Sequence, residues 1–105
     1  MGKNAIITRI WHGRTLLEHS DKYLEYIIET GLKDYKNTPG NLSAKVLRRP
    51  EGDICHFWTM TEWSGIESIK LFAGSDYKKA KYYSEDQKFL LEFEDMVIHC
   101  ETFTA

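Results

Sequence analysis

The sequence predicts an α+β domain of the ferredoxin-like βαββαβ type, a four-stranded antiparallel sheet with its helices on one face. Three observations lead there. Residues 54–63 are rich in β-branched and aromatic side chains and stop at Ser64-Gly65, as a strand does where a helix begins. Ile66, Ile69, Phe72 and Ala73 then recur at helical spacing until Gly74, a helix-ending residue. Two further strand patterns and an earlier amphipathic helix precede this unit, and another strand pattern follows it, with no linker, repeat or low-complexity segment between. The 105 residues therefore read as one domain, 1–105.

Taken in order, residues 5–13 alternate as a first strand that Gly13 closes, with Ile6, Thr8, Ile10 and His12 on one face and Ile7, Arg9 and Trp11 on the other. Thr15 and Glu18 form a T-x-x-E capping box for the first helix. Its buried stripe is Leu24, Ile27, Ile28 and Tyr35, with Tyr23 and Leu32 at the margins, while Lys22, Glu25, Glu29 and Lys36 face water. Gly31 interrupts this pattern and is expected to break or kink the helix. Thr38-Pro39-Gly40-Asn41 has proline and glycine where a type II turn needs them.

Residues 42–49 read as the second strand, joined by a hairpin at residues 50–53 to the third, residues 54–63. Ser64 and Glu67 supply a capping box for the second helix. A second cap at Ser75-Asp76 predicts a short helical piece over 77–83, and Ser84 with Gln87 one more turn through Leu91. Residues 96–103 make the last strand. Met96, Ile98 and Cys100 share its apolar face, and Val97, His99, Glu101 and Phe103 the other.

Right-handed crossovers fold this order into a sheet with strand order 4-1-3-2. One sheet face stays uncovered and carries large apolar residues, so two copies are expected to pair face to face as a homodimer.

Composition narrows the function. A net charge of −2, from 14 basic and 16 acidic residues, gives no general pull toward nucleic acid or an anionic membrane. No apolar run approaches the roughly 20 residues of a membrane span, and no secretory segment follows the start. Met1-Gly2 resembles an acylation signal, but position 6 is Ile where that signal needs Ser or Thr. A cytoplasmic location is expected. Cys55 and Cys100 fall on strands separated by a third, too far for a bridge, and read as reduced thiols.

His12, His19, His56 and His99 show no metal-ligand spacing, and in Cys55-His56 and His99-Cys100 the two side chains point to opposite faces, so no metal is expected. No Ser-His-Asp order, GxGxxG or phosphate loop is present. Lys70, Lys78, Lys79 and Lys81 form a positive patch that a solvated face explains. Arg9 shares the odd-numbered face with Trp11, His99 and Glu101, so these four are assigned to the dimer interface, with Arg9 pairing Glu101. The alternative for Arg9 is an anion or substrate clamp. Phe57, Thr59, Thr61 and Trp63 mix threonines with aromatics on one strand face. Together with Phe72 and Tyr35 from the helices, this face is the candidate pocket for a flat phenolic ligand.

Trp63, nine residues before Phe72 and followed by Ser75, resembles the W-x(8)-[HW]-x-x-S pattern of the antibiotic-biosynthesis-monooxygenase superfamily. The resemblance implies a small dimeric α+β barrel. The superfamily includes cofactor-independent quinone-forming oxygenases, haem-degrading enzymes and members with no known activity. Phe72 departs from the pattern, since monooxygenase-like members often carry His there and the haem-degrading branch Trp. The haem ligand of that branch would fall on Tyr82, and a phenol is a far poorer ligand than imidazole. The expectation is therefore a cofactor-independent monooxygenase-like protein that acts on or binds a small aromatic molecule, with no cofactor. Trp63, His12 and Tyr82 are its candidates for binding, desolvating and deprotonating a phenolic substrate. Two rival readings are a non-catalytic ligand-binding or structural dimer and a small isomerase or cyclase using His12 or His56 as its base.

Overall fold

Four strands, β1 (Ile6–Leu16), β2 (Asn41–Glu51), β3 (Ile54–Trp63) and β4 (Ile98–Thr102), form one antiparallel sheet in the computed structural model, which describes residues 5–105. Their order, β2-β3-β1-β4, is the predicted one. Met1 and Gly2, the residues of the discounted acylation signal, lie outside the described residues.

The first correction concerns β1. It continues past Gly13 to Leu16, and Thr15 is a fully buried strand residue whose hydroxyl donates to the Leu16 carbonyl at 2.9 Å, so it caps no helix. Gly13 serves a packing purpose instead. A Cβ there would stand 2.5 Å from Cη2 and Cζ2 of the Trp11 indole, so glycine lets the ring lie along the strand. A 3₁₀ turn, Leu17–His19, then leads into α1 (Ser20–Ile27).

Gly31 does disturb the helix. A π turn, Ile28–Leu32, separates α1 from α2 (Lys33–Lys36), and Gly31 is buried in it. The extra residue rotates the stripe, so Tyr23, Ile27 and Tyr35 are buried while Ile28, predicted inward, is 44% exposed. The turn at Thr38–Asn41 forms as expected: Gly40 has φ 90°, and the Asn41 amide donates to the Thr38 carbonyl at 3.1 Å.

β3 has the predicted bounds, and α3 (Ile66–Ala73) ends at Gly74 with φ 86°. Its capping box does not form. Gly65 occupies the cap position, and Ser64 Oγ meets Ser68 Oγ at 2.9 Å, one helical turn away. Residues 77–83 are turns and irregular chain, not a helical piece, and only a 3₁₀ turn, Asp86–Lys88, follows. Hydrogen bonds from this segment explain why it stays irregular. Leu91 N donates to Arg14 O, Ala80 N to Asp95 O and Val97 N to Lys78 O, tying the segment to the edge of β1 and to itself.

Odd-numbered residues of β1 and β3 face the helices. Trp11, Tyr23, Ile27, Cys55, Phe57, Leu90 and Val97 form one apolar cluster, and Tyr35, Trp63, Ile69 and Phe72 a second. Between them runs a buried polar seam of Arg9, Thr59 and Thr61, the two threonines standing between Phe57 and Trp63 along β3 and Arg9 paired with Thr61. Among the described residues no element covers the even-numbered face. Trp58 and Met60 stand on it, with Leu47 42% and Ile98 62% exposed. Cys55 and Cys100 are unbridged, the first buried and the second exposed on the open face. Among the described residues no helix is long and apolar enough to cross a membrane.

Candidate functional site

The polar seam opens into a cleft between the sheet, the π turn and residues 81–86. Arg9, Trp11, Tyr23, Tyr35, Thr59 and Asp86 form its floor and sides, with Lys81, Tyr82 and Tyr83 at the outer wall. The cavity within it is only about 20 Å³, room for about one water molecule. A bicyclic ligand therefore needs the outer wall to swing aside. Apart from the Asp86–Lys88 turn that wall has no regular secondary structure, which makes it the side that can give.

Arg9 dominates the electrostatics. It is 2% exposed, with Nη1 donating to Tyr77 O at 2.6 Å and Nη2 to Lys79 O at 3.2 Å, while Nη1 lies 3.3 Å from His99 Nε2. Among the described residues no carboxylate forms an ion pair with it, and its buried Nε has no acceptor. The predicted interface pair with Glu101 is thus corrected. Arg9 and Trp11 point into the protomer's own helix-covered interior, His99 is half-buried against Tyr77, and Glu101 is exposed at the sheet edge. The odd-numbered face was covered because α1 and α2 carry the tyrosines that pack on it. A buried guanidinium keeps its proton even though burial lowers its pKa, so the cleft holds a fixed positive charge.

The aromatic candidates divide. Thr59 and Tyr35 line the cleft, with Tyr35 Oη and Thr59 Oγ1 3.2 Å apart. Tyr82 and Trp11 line it too. The Trp11 indole N–H donates to Tyr82 Oη at 3.2 Å, and the Tyr82 hydroxyl donates to Glu94 O at 2.7 Å. Phe57, Thr61 and Trp63 are fully buried away from it: Trp63 Nε1 donates to Thr61 Oγ1 at 2.8 Å, and Phe57 packs edge-on to Tyr23. Phe72 lies behind the cleft, between two cations, with Arg9 5.5 Å and Lys81 4.4 Å from its ring centre. Space predicted beneath the helices at Trp63 is filled by Trp63, Tyr35 and Phe72 themselves, whose ring centres stand 4.5 to 6.2 Å apart.

Sequence reading missed Tyr23, Lys81, Tyr83 and Asp86 as lining residues. Asp86 sits in a stretch that reads as a helix cap, and its burial depends on Tyr23, 63 positions earlier. Tyr83 and Lys81 both bond Asp34 Oδ2, at 2.6 and 3.0 Å, fastening the outer wall to α2.

His12 faces away from the cleft, onto the open sheet face. Its Nδ1 lies 2.5 Å from Glu94 Oε2 and its Nε2 2.9 Å from His56 Nδ1, and His56 Nε2 lies 2.9 Å from Glu51 Oε1. Trp58 stacks on His56. This Glu-His-His-Glu line forms because β1 and β3 place residues 12 and 56 diagonally on one face. Among the described residues no group of three or more ligating side chains is arranged to hold a metal ion.

No family model matches the chain, and no curated protein does. Solved structures do. A candidate antibiotic biosynthesis monooxygenase from Bacillus cereus aligns over 96% of this chain and 98% of its own, with TM-score 0.64 and 12% identity. Another from Nitrosomonas europaea aligns over 97% and 93%, with TM-score 0.66 and 8% identity. A heme-degrading protein from Mycobacterium tuberculosis aligns over 96% and 94%, with TM-score 0.59 and 15% identity. The chain has the α+β fold of the antibiotic biosynthesis monooxygenase-like proteins.

Proposed function

We propose that the protein binds a small phenolic or enolic aromatic molecule in the Arg9 cleft and works as a cofactor-independent monooxygenase-like protein. The observation that carries this reading is Arg9: a buried cation with no carboxylate partner among the described residues and one N–H unsatisfied, beside a cleft walled by Trp11, Tyr23, Tyr35 and Tyr82. Such a charge is costly to bury alone and is offset by an anionic oxygen held against it. Aromatic walls suit a planar ring, and Thr59 and Tyr35 add hydroxyls that orient it.

The chemistry asked of the protein is modest. Ionising the ligand makes it electron-rich enough to react with dioxygen, as when an anthrone methylene becomes a carbonyl while one dioxygen is taken up and one water leaves. Arg9 stabilises the anion, and the aromatic walls exclude water from it. Residues 1–105 act as a single domain in a homodimer built through the open sheet face, and two free thiols suit a reducing cytoplasm.

The test uses anthrone with the purified protein and no added cofactor. Oxygen consumption above the buffer rate, a rise in melting temperature, and loss of both in Arg9→Gln are expected. A non-catalytic binder is favoured by one observation, Phe72 at the position where, by the resemblance, monooxygenase-like members often carry a histidine, and predicts the thermal shift without oxygen uptake. Neither signal with a range of phenols would end both ligand readings.

A further inference from the structure

We propose that Asp86 is the proton acceptor of the cleft, taking the phenolic proton of the bound molecule while Arg9 holds the oxyanion that results. The inference rests on the ligand reading above and adds the residue that makes the anion.

Asp86 is 4% exposed and lines the same cleft as Arg9. Its Oδ1 accepts from the Tyr23 hydroxyl at 2.9 Å, and its Oδ2 from the Tyr83 amide at 2.6 Å. Each carboxylate oxygen keeps a further lone pair. Among the described residues none of the ion pairs includes it, so no Lys, Arg or His neutralises its charge. Burial pushes its pKa up, and the bonds from Tyr83 and Tyr23 offset only part of that. A carboxylate in this state is a stronger base than one in water.

Holding the loop in place explains the two acceptor oxygens but not their basicity. An asparagine would keep only one of the two bonds and turn its NH2 toward the other donor, whereas the carboxylate accepts both and carries the cost of a desolvated anion. What a carboxylate also adds is proton affinity at a buried position in the cleft, a pattern concentrated at sites of proton transfer.

The transfer balances. The ligand O–H bond breaks, its proton goes to an Asp86 carboxylate oxygen, and the electron pair stays on the ligand oxygen beside Arg9. Total charge in the cleft is unchanged, because one negative charge moves from Asp86 to the ligand. The other titratable groups facing this transfer are the phenols of Tyr23, Tyr35, Tyr82 and Tyr83 and the Lys81 ammonium. Burial raises the pKa of each of those four phenols, so they stay neutral donors.

The experiment uses 2-naphthol, whose neutral and ionised forms absorb differently, with binding followed independently by calorimetry. Wild type is expected to bind it as the naphtholate at a pH where the free compound is neutral. Asp86→Asn is expected to bind it as the neutral phenol, with the ionised fraction down about tenfold or more. Binding with the same ionised fraction in Asp86→Asn, or neutral naphthol in wild type, would overturn the role of Asp86 and leave the ligand reading standing. No calorimetric binding to wild type would overturn the ligand reading and this one with it. If Asp86→Asn does not fold, Tyr23→Phe decides the matter. Removing one donor makes the carboxylate more basic, so a less acidic phenol that wild type binds only partly ionised is bound with a larger ionised fraction, and no change would sink the proposal.

Discussion

His12 and His56 meet across the open face of the sheet, Nε2 to Nδ1 at 2.9 Å, with Glu94 and Glu51 at the two ends of the line. One ring donates to the other in this contact. Both side chains are partly exposed, which keeps the bond in the ordinary range of about 0.5–1.5 kcal/mol. A double-mutant cycle with His12→Gln and His56→Gln, read by urea denaturation, should give a coupling of about 0.5–1 kcal/mol. Simple additivity of the two changes would show that the rings do not bond in solution.

The same face carries the association prediction. Leu47 and Ile98 are exposed in a single protomer, with Trp58 and Met60 half-buried between them, a patch that pairing with a second copy would bury. Light scattering should therefore give about twice the 12.3 kDa chain mass. Leu47→Glu combined with Ile98→Glu should return it to the chain mass, since both charges would be desolvated at the contact. A protein that is monomeric at high micromolar concentration before any substitution would refute the arrangement.

His99 makes stability depend on pH. Burial first, and then the neighbouring Arg9 and Lys78 charges, lower its pKa from 6.5 to about 4. The unfolded chain takes up this proton near pH 6.5 and the native protein only near pH 4. The contribution is therefore fully present above about pH 6.5 and is lost as pH falls toward 4, about 2 kcal/mol after partial solvent screening. His99→Gln should remove that part of the acid dependence, seen as a smaller difference between urea unfolding at pH 7 and pH 4.5. Parallel curves for the two proteins would show that His99 titrates normally.

How far the sequence could be read depended on range. β3 and α3 are legible because period-two and period-3.6 patterns are local, and Gly40 and Gly74 fall where positive φ is needed. Thr15 and Ser64 misled because a capping box is only a pair of residue types. Strand pairing with β3 claimed the first, and contact with Ser68 the second. Arg9 shows the harder limit. Alternation placed it with Trp11 on one face, but which face the helices cover depends on crossovers that strand periodicity does not encode. Lys81, Tyr83 and Asp86 lie in a segment whose shape is set by bonds to Asp34, Tyr23 and β1, so no local pattern marks them as cleft residues.

Trp63 and Arg9 give the prediction that separates packing from recognition. Trp63 is fully buried, edge-on to Tyr35, bonded to Thr61 and outside the cleft. Trp63→Phe should therefore cost about 1–3 kcal/mol from the shrunken ring and the indole hydrogen bond left unmade at Thr61. The affinity of the folded protein for a phenol should stay within about twofold, because nothing that touches the cleft changes charge or position by much. Arg9→Gln should do the reverse to binding. Glutamine retains amide donors for the Tyr77 and Lys79 carbonyls but supplies no charge to an anionic oxygen, so affinity for a phenolate should fall about tenfold or more. Removing a buried cation without a carboxylate partner also lifts a desolvation cost, so stability should fall less than binding does. Chemical denaturation and calorimetry on the same two variants check this. If Trp63→Phe abolishes binding while Arg9→Gln leaves it intact, the ligand lies beneath α3 and not at the polar seam.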